Sequence, residues 1–399
     1  MRVTVPWILV ANLFNRVLTM GTQLVIGFLL VPEQVGVFAV AAGVVGMASP
    51  FQSGDHARLA LQDPVDPART AAILRNWLLV GCTASCVLCI VVLPALGSRV
   101  ALAPVACLSL ISLLRVLSSV RVVLLSRAGR SGAIATAGAC EGSARSLALI
   151  GTAVLGAGMW SLVFGEVAAV LASATLLQRF EPGPAAAGWR LPPGYVHKIM
   201  ATIGVCVLVG FELNSASVAI GHFCAPAAAG SYAFAYRIAS QVTVLLLPLI
   251  TLEAIPRLLV ARGSLEGLLA VSRRERRRLL MIAGPMVAVV VVIAPPIMVL
   301  VWHERWREAS QMLRWLGLSV GLRLAYSMAK AHLEVVGSFS RILMLSVIDT
   351  VLILSTLLVA GHLGSALGMV RGLCGESAFM LLASAWLARR LMRQRFSAP

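Results

Sequence analysis

Acidic residues are scarce in this chain: only 16 of its 399 residues are Asp or Glu, and charged residues of all kinds make up 12%. Aromatic residues are also few, at 6%, whereas hydrophobic residues reach 59% and the mean hydropathy is +0.92. A soluble domain of this length needs far more polar surface than this composition provides. The composition therefore excludes a soluble globular protein and indicates a chain that folds in a bilayer.

Signals for disulfides, metals and catalysis are also missing. The eight cysteines are scattered and suggest no disulfide framework. Cys82, Cys86 and Cys89 share one helix face with a spacing that suits a soft metal, but we expect them to pack as small side chains, with no metal or cofactor bound. The sequence has no Gly-rich Lys loop for ATP, no HExxH motif and no serine elbow. We therefore expect no enzymatic activity.

Twelve apolar stretches are each long enough to cross the hydrocarbon core, which takes about 20 helical residues. Six lie on each side of residues 179–195, a polar segment whose prolines indicate a linker. The predicted fold is an all-α integral membrane protein with an N-terminal six-helix lobe (1–178), this linker, and a C-terminal six-helix lobe (196–399). The predicted spans are 7–30, 35–56, 71–95, 100–126, 132–155, 159–178, 196–218, 226–256, 279–301, 309–333, 341–360 and 366–388.

The first span resembles a signal peptide only in part. Asn12, Asn15 and Arg16 interrupt it, and it is too long for a cleaved apolar region. We expect it to remain as the first transmembrane helix.

The net charge of +17 fits a membrane orientation better than nucleic-acid binding. With the predicted spans, 22 of the 33 basic residues fall on one face, and the opposite face has only Arg99, Arg305 and Arg307. The positive-inside bias then places both termini and the linker in the cytoplasm. The cluster at residues 273–278 is interpreted as a topology anchor, with a lipid-headgroup site as the alternative.

Two segments, residues 25–41 and 219–235, share an irregular pattern. Six positions of this 17-residue window are identical, where composition alone would supply about two. The identical pairs are Ile26/Ile220, Gly27/Gly221, Pro32/Pro226, Gly36/Gly230, Ala39/Ala233 and Ala41/Ala235. Six spans separate the two hairpins, which gives them the same orientation. The pattern therefore predicts a parallel repeat, a common build of secondary transporters.

Charged residues inside the spans are the candidates for function, because a lone charge at mid-bilayer costs about 2.5 to 3.5 kcal/mol on insertion scales. One interpretation is structural: Glu141 and Arg145 are one helical turn apart and can pair, and other arginines can reach acids on neighbouring helices or snorkel. The other is that guanidinium groups hold a phosphate-bearing substrate. The candidates for substrate binding are Arg16, Arg237, Arg145 and Arg323, and those for a coupling ion are Glu212, Asp349 and Glu376.

Two stretches also resemble a known family. LVPEQVGVFAVA at residues 30–41, and GSYAFAYRIA at residues 230–239 with Pro256 downstream, resemble the entries to the second and eighth helices of bacterial polysaccharide-lipid flippases of the O-antigen type. These belong to the multidrug/oligosaccharidyl-lipid/polysaccharide exporter superfamily. The resemblance implies a V-shaped transporter with a central cationic cavity, and Arg16 and Arg237 fall where that family places cavity cations.

The same resemblance implies a substrate and a location. The substrate is an undecaprenyl-pyrophosphate-linked oligosaccharide, a precursor of lipopolysaccharide or exopolysaccharide, flipped across the bacterial inner membrane by alternating access. The implied partners are membrane lipids and, within a synthesis complex, a polysaccharide polymerase, with no nucleic acid. Related peptidoglycan-precursor flippases carry two further C-terminal helices, so we expect a polysaccharide rather than a peptidoglycan role.

Three other interpretations stay open at this point. A cation-coupled multidrug or other small-molecule exporter of the same superfamily predicts the same fold, but with acids favoured over arginines inside. A membrane polymerase or glycosyltransferase needs a large outward loop, and turns such as 31–34 and 155–158 are short. The third is a non-transporting partner in a polysaccharide synthesis complex.

Overall fold

The computed structural model is helical over most of the part of the chain that it describes. The described residues are 4–48, 67–95, 102–181, 188–189, 195–261, 263–336 and 339–397. In the first half the helices are α1 (Thr4–Leu29), α2 (Pro32–Ala48), α3 (Pro67–Ala95), α4 (Leu102–Arg127), α5 (Ser131–Val154) and α6 (Trp160–Phe180). In the second half they are α7 (Tyr195–Phe223), α8 (Pro226–Pro248), α9 (Ile255–Ala261), α10 (Leu265–Ala288), α11 (Ala294–Trp302), α12 (Arg307–Val336), α13 (Phe339–His362) and α14 (Ala366–Ser397).

Within the described residues, each predicted span coincides with helix, and the predicted all-α membrane class is confirmed. Among the described residues, eight helical segments are long and apolar enough to cross a bilayer, and two shorter apolar helices precede them. One of the eight, Glu266–Val335, contains two predicted spans. The predicted span at 132–155 is α5, a helix rich in Gly, Ala and Ser that is not among the eight. The end of the span predicted at 35–56 lies outside the described residues.

Two spans differ from the prediction in detail. The eighth continues from α8 through a π-helical turn (Leu249–Ala254) into α9, and the ninth joins α10 to α11 through a second one (Val289–Ile293). The helix of the ninth span also begins at Leu265, well before the predicted residue 279, because the Ser264 side chain caps it by accepting a hydrogen bond from the Gly267 N–H. Its arginine-rich start is therefore helical.

At the predicted repeat, each half has two consecutive helices joined by a two-residue turn. The α1–α2 turn ends at Pro32 and the α7–α8 turn ends at Pro226, so each proline opens the second helix of its hairpin, where its missing N–H costs nothing. Other repeated positions are buried in both halves: Ile26 and Ile220 are 1% and 0% exposed, and Ala41 and Ala235 are both 0% exposed. The shared residues therefore have the same packing role twice.

The chain folds into two compact units, Met1–Val218 and Ala219–Pro399. In the first, α5 packs on α1 and α6, and α4 packs on α3 and α6. Most of α7 also belongs to this unit, because Gly46 leaves room for Asn214 and Gly210 approaches the Gly46 carbonyl. This division falls inside α7, whereas the predicted lobes divide in the linker at 179–195, most of which lies outside the described residues. The lobe boundary stays a prediction.

Glycine on α5 brings α1 close in the first unit. A Cβ on Gly142 would collide with the Asn15 side chain of α1. One turn further along α5, the Ser146 hydroxyl accepts a hydrogen bond from the Thr22 hydroxyl of α1 at 2.8 Å. Between α3 and α4, Cys82 and Cys86 pack against Leu78 and Val116, as expected of small side chains.

In the second unit, α12 packs against both α8 and α14. Phe234 of α8 stacks on Trp306 with ring centroids 4.1 Å apart. A Cβ on Gly372 of α14 would collide with Thr356 of α13. Aromatic stacking and glycine contacts thus fix the helices that carry the charged residues described next.

Candidate functional site

A first charged cluster lies where α4, α5 and α6 meet in the first unit. Arg115 on α4 donates from Nη2 to Oε2 of Glu166 on α6 at 2.6 Å. Arg145 on α5 contacts the same carboxylate, with its Nε 3.1 Å from Glu166 Oε1. Arg145 Nη2 also donates to Oε1 of Glu141 at 3.1 Å. The cluster balances two guanidinium groups with two carboxylates.

The pairing predicted between Glu141 and Arg145 is confirmed, and Glu166 joins it from the next helix. The four side chains are 24% to 37% exposed. Each carboxylate faces at least one guanidinium, so the cluster has no net charge to neutralise. Partly exposed pairs of this kind contribute little stability each, about 0 to 1 kcal/mol. The geometry favours the structural interpretation of Arg145 over the substrate-binding one, which stays a prediction.

A second charged cluster lies where α12, α13 and α14 meet in the second unit. Arg323 Nη2 is 2.9 Å from Oε2 of Glu376 and 3.8 Å from Oδ1 of Asp349. The two acidic side chains are only 2% and 1% exposed, and that of Arg323 is 25% exposed. One guanidinium therefore faces two deeply buried carboxyl groups.

Several oxygens of this second cluster have no hydrogen-bond donor. Both carboxyl oxygens of Asp349 and Oε1 of Glu376 are buried without a partner. The two carboxyl groups are neighbours, because the same Arg323 Nη2 lies 3.8 Å from Asp349 and 2.9 Å from Glu376. Because an unsatisfied buried carboxylate is costly, the arrangement favours a proton or another small cation between the two acids.

Neighbouring polar side chains do not donate hydrogen bonds to these oxygens. Arg323 Nε donates to the Ser377 hydroxyl at 3.2 Å, and that hydroxyl lies 2.9 Å from the Ser319 hydroxyl. The next cation, Lys330, donates to Ser346 at 3.2 Å, one helical turn before Asp349. The structure thus brings together two of the three coupling-ion candidates and one of the four arginine candidates.

Arg16 lies on α1, partly buried, beside Asn15 at the contact with α5. Within the part of the chain that the structure describes, its guanidinium makes no hydrogen bond and no ion pair. This contrasts with Arg145 and Arg323, each of which is held by two acids.

The other two candidates lie on different helices. Arg237 is partly buried on α8 and directly follows Tyr236. The ring of Tyr236 stacks on that of Tyr232, with centroids 5.7 Å apart. Glu212 is partly buried on α7. Both have polar or charged interactions of their own. The substrate and ion roles predicted for them stay predictions.

Sequence reasoning missed the pairing of Arg115 with Glu166, although both lie inside predicted spans. The signal was in the repeat: Arg115 and Arg323 lie on the fourth helical span of their halves, and Glu166 and Glu376 on the sixth. An arginine on the fourth span and a glutamate on the sixth thus form a pair in both halves.

These features agree with a match to a family model. The model for polysaccharide biosynthesis protein matches residues 25–311. The chain belongs to this family. The resemblance noted in the sequence is therefore confirmed, although no curated protein matches the chain.

Solved structures share the fold of this family member. An inward-facing multidrug resistance MATE family transporter of the MOP superfamily has a TM-score of 0.70 at 14% identity, covering 96% of both chains. The lipid II flippase MurJ, in an inward closed conformation, has a TM-score of 0.70 at 11% identity, covering 98% of this chain and 90% of that one. A MOP superfamily transporter from Pyrococcus furiosus Vc1 (DSM3638) has a TM-score of 0.59 at 16% identity, covering 100% and 95%. The protein is thus a multi-pass membrane protein with the MOP-superfamily fold.

Proposed function

We propose that this protein flips an undecaprenyl-pyrophosphate-linked oligosaccharide from the cytoplasmic to the outer leaflet of a bacterial inner membrane. Its membership in the polysaccharide biosynthesis family supports a glycan substrate. Its fold, shared with the lipid II flippase MurJ and with a MATE transporter, supports transport by alternating access. The excess of basic residues in the predicted cytoplasmic turns supports an orientation with both termini in the cytoplasm.

The observation that carries the substrate assignment is the condition of Arg16. It is a partly buried guanidinium on a membrane helix with no hydrogen-bond or ion-pair partner among the described residues. An uncompensated guanidinium in such a place is costly unless an anion joins it, and its planar fork matches phosphate oxygens. We assign pyrophosphate binding to Arg16, with Arg237 as the second cation. Arg145 and Arg323 are less suited, because carboxylates already hold them.

Asp349 and Glu376 are suited to the coupling ion. When both acids are ionised, Arg323 neutralises only one of the two negative charges. The other charge stays on carboxyl oxygens that have no hydrogen-bond donor. A proton or a sodium ion bound between the two carboxyl groups removes the surplus negative charge, and release of that ion restores the charge. Binding and release of this ion would then bias the equilibrium between the inward-open and outward-open states.

A transport assay tests the substrate. Arg16→Ala and Arg237→Ala should each abolish complementation of a flippase-deficient strain while membrane abundance stays unchanged, and Lys at either position should rescue only partly. Arg145→Gln is the matched control, because the carboxylates that hold Arg145 belong to the first charged cluster. This variant should retain complementation. Wild-type function in both alanine variants would overturn the assignment.

A cation-coupled multidrug exporter is the second candidate, since a MATE transporter matches the fold as well as the flippase does. The two functions separate in proteoliposomes. A flippase should translocate a fluorescent lipid-linked oligosaccharide and leave cationic dyes in place, whereas an exporter should move the dyes. Dye transport without lipid translocation would favour the exporter over the flippase.

A further inference from the structure

A groove between α3 and α7 opens on the side of the first unit. Its cavity of about 280 Å³ is apolar throughout, with Leu74, Trp77 and Val80 on one wall and Ile199, Met200 and Ile203 on the other. Leu74 and Ile199 form its floor, where they pack with Val120 of α4. The rims are open, since Trp77, Val80 and Met200 are 46%, 50% and 62% exposed.

Trp77 gives this groove one fixed wall. Its indole N–H donates to the carbonyl of Trp189 at 3.0 Å, and the two rings meet edge to face with centroids 6.1 Å apart. A side chain held in this way keeps the groove in shape without a ligand, as in a preformed binding site.

Two arginines directly follow residues of the groove floor in the sequence. Arg75 follows Leu74 on α3, and Arg121 follows Val120 on α4. Because Leu74 and Val120 belong to one packed apolar cluster, these two like charges lie on neighbouring helices, where they repel each other. Among the described residues, Arg121 has no hydrogen bond and no ion pair with an acid. Arg75 has its own polar contacts, one of them to Asn76 at 3.4 Å. An anion between the two guanidinium groups would relieve their repulsion.

The position of the pair narrows the choice of anion. Arg121 lies six residues before the end of α4 at Arg127, and Arg75 eight residues after the start of α3 at Pro67. At about 1.5 Å per residue, they lie about 9 Å and 12 Å inside those helix ends. An anion that binds both arginines therefore sits within the length of the helices, next to apolar residues of the groove floor, which suits a phosphate attached to a hydrocarbon chain better than a soluble anion.

We propose that the α3–α7 groove binds a polyprenyl phosphate lipid, with the hydrocarbon chain between Trp77 and Met200 and the phosphate on Arg75 and Arg121. This rests on the proposed function, since it makes the groove the site where the carrier lipid of the substrate first docks. The apolar walls match the chain, and the arginine pair matches the phosphate by charge and by hydrogen-bond geometry.

Binding of undecaprenyl phosphate to the purified full chain in nanodiscs, measured by native mass spectrometry, tests this. Arg121→Gln removes the unpaired cation, and Met200→Trp fills the groove. Each change should weaken binding by about tenfold or more, because it removes a charge-assisted hydrogen bond or a contact with the hydrocarbon chain. Arg121→Lys keeps the charge but loses the planar fork, so it should bind more tightly than Arg121→Gln and more weakly than the wild type. The matched controls are Arg127→Gln, exposed on the same helix, and Leu213→Trp, exposed on α7 outside the groove; both should bind as the wild type does.

Competing lipids separate the sources of the phosphate. Phosphatidylglycerol and undecaprenol, which lacks a phosphate, should each compete at least about tenfold less well than undecaprenyl phosphate. Equal competition by phosphatidylglycerol would overturn the choice of a carrier lipid, and equal competition by undecaprenol would overturn the role of the arginines. Unchanged binding in folded Met200→Trp protein would overturn the groove itself.

The groove and the proposed function can fail separately. If the variants lose binding as expected but the wild type translocates no lipid-linked oligosaccharide, the groove stands and the flippase fails. If wild-type protein translocates the lipid and both groove variants bind and translocate it equally well, the flippase stands and the groove fails.

Discussion

The two charged clusters are built on corresponding helices and differ in the charges that the fifth span of each half contributes. Each pairs an arginine on the fourth span of its half with a glutamate on the sixth, Arg115 with Glu166 and Arg323 with Glu376. On the fifth span the first unit places Glu141 and Arg145, whereas the second places Asp349. The first cluster is therefore balanced, and the second has one carboxyl group more than its guanidinium can neutralise.

Burial increases this difference. The acids of the first cluster are 29% and 24% exposed, whereas those of the second are 1% and 2% exposed. Partly exposed charges interact weakly, whereas two buried carboxyl groups that share one guanidinium leave a negative charge without a partner. The same pair, an arginine on the fourth span and a glutamate on the sixth, therefore supports helix packing in the first half and is suited to ion exchange in the second.

The largest expected effect comes from neutralising the second cluster. In the double variant Asp349→Asn and Glu376→Gln, no group is left to exchange a proton or sodium ion, so transport should stop responding to an imposed ion gradient. Glu141→Gln with Glu166→Gln is the matched change in the first cluster and should leave the gradient response intact. Lipid translocation in proteoliposomes with and without a gradient measures both. A gradient response that survives in the first double variant would remove the coupling role.

The next effect concerns stability and tests the imbalance itself. Arg323→Met leaves two buried carboxyls without their cation and should destabilise the protein by about 3 to 5 kcal/mol. Arg115→Met leaves Glu166 with Arg145 and should cost about 1 kcal/mol or less. Thermal unfolding in detergent, followed by size-exclusion chromatography, compares the two. Adding Glu376→Gln should recover much of the loss in Arg323→Met; equal losses for the two arginine variants would contradict the comparison.

The sequence predicted the helices well and the clusters only in part. Long apolar runs bounded by polar turns define spans regardless of tertiary contacts, and the Gly and Pro pattern of residues 25–41 and 219–235 placed both hairpins. Partners were harder, because Arg115 and Glu166 are 51 positions apart and only the packing of α4 on α6 joins them. The pair Glu141 and Arg145 could be predicted because one helical turn fixes its geometry.

The groove and the association of α7 with the first unit were beyond the sequence for a similar reason. Leu74 and Ile199 are ordinary apolar residues in apolar spans, and nothing local marks them as neighbours. Their contact depends on where α7 crosses α3, which glycines such as Gly46 and Gly210 permit without specifying. Periodicity reports which residues are apolar, whereas the shape of a cavity depends on helix placement.

A smaller effect tests the packing beneath the first cluster. Gly142→Ala would drive a methyl group into Asn15 of α1, and such overpacking should cost about 1 to 3 kcal/mol. Gly151→Ala, on the same helix with nothing near its Cβ, should be neutral or stabilising by up to about 1 kcal/mol through helix propensity. Thermal unfolding of both variants measures the difference. Equal stability would show that α1 can shift away from α5 at little cost, which would weaken the structural role of this cluster.

The smallest effect concerns the feature in which the two halves agree. Pro32 and Pro226 both open the second helix of a hairpin after a two-residue turn. There each acts mainly by restricting the unfolded chain, so Pro32→Ala and Pro226→Ala should each destabilise by about 0.4 to 1 kcal/mol. The same thermal unfolding experiment applies, and the two losses should agree with each other more closely than those of Arg115→Met and Arg323→Met. Similar losses at the prolines and different losses at the arginines would show that the halves kept a common scaffold while their charged clusters diverged.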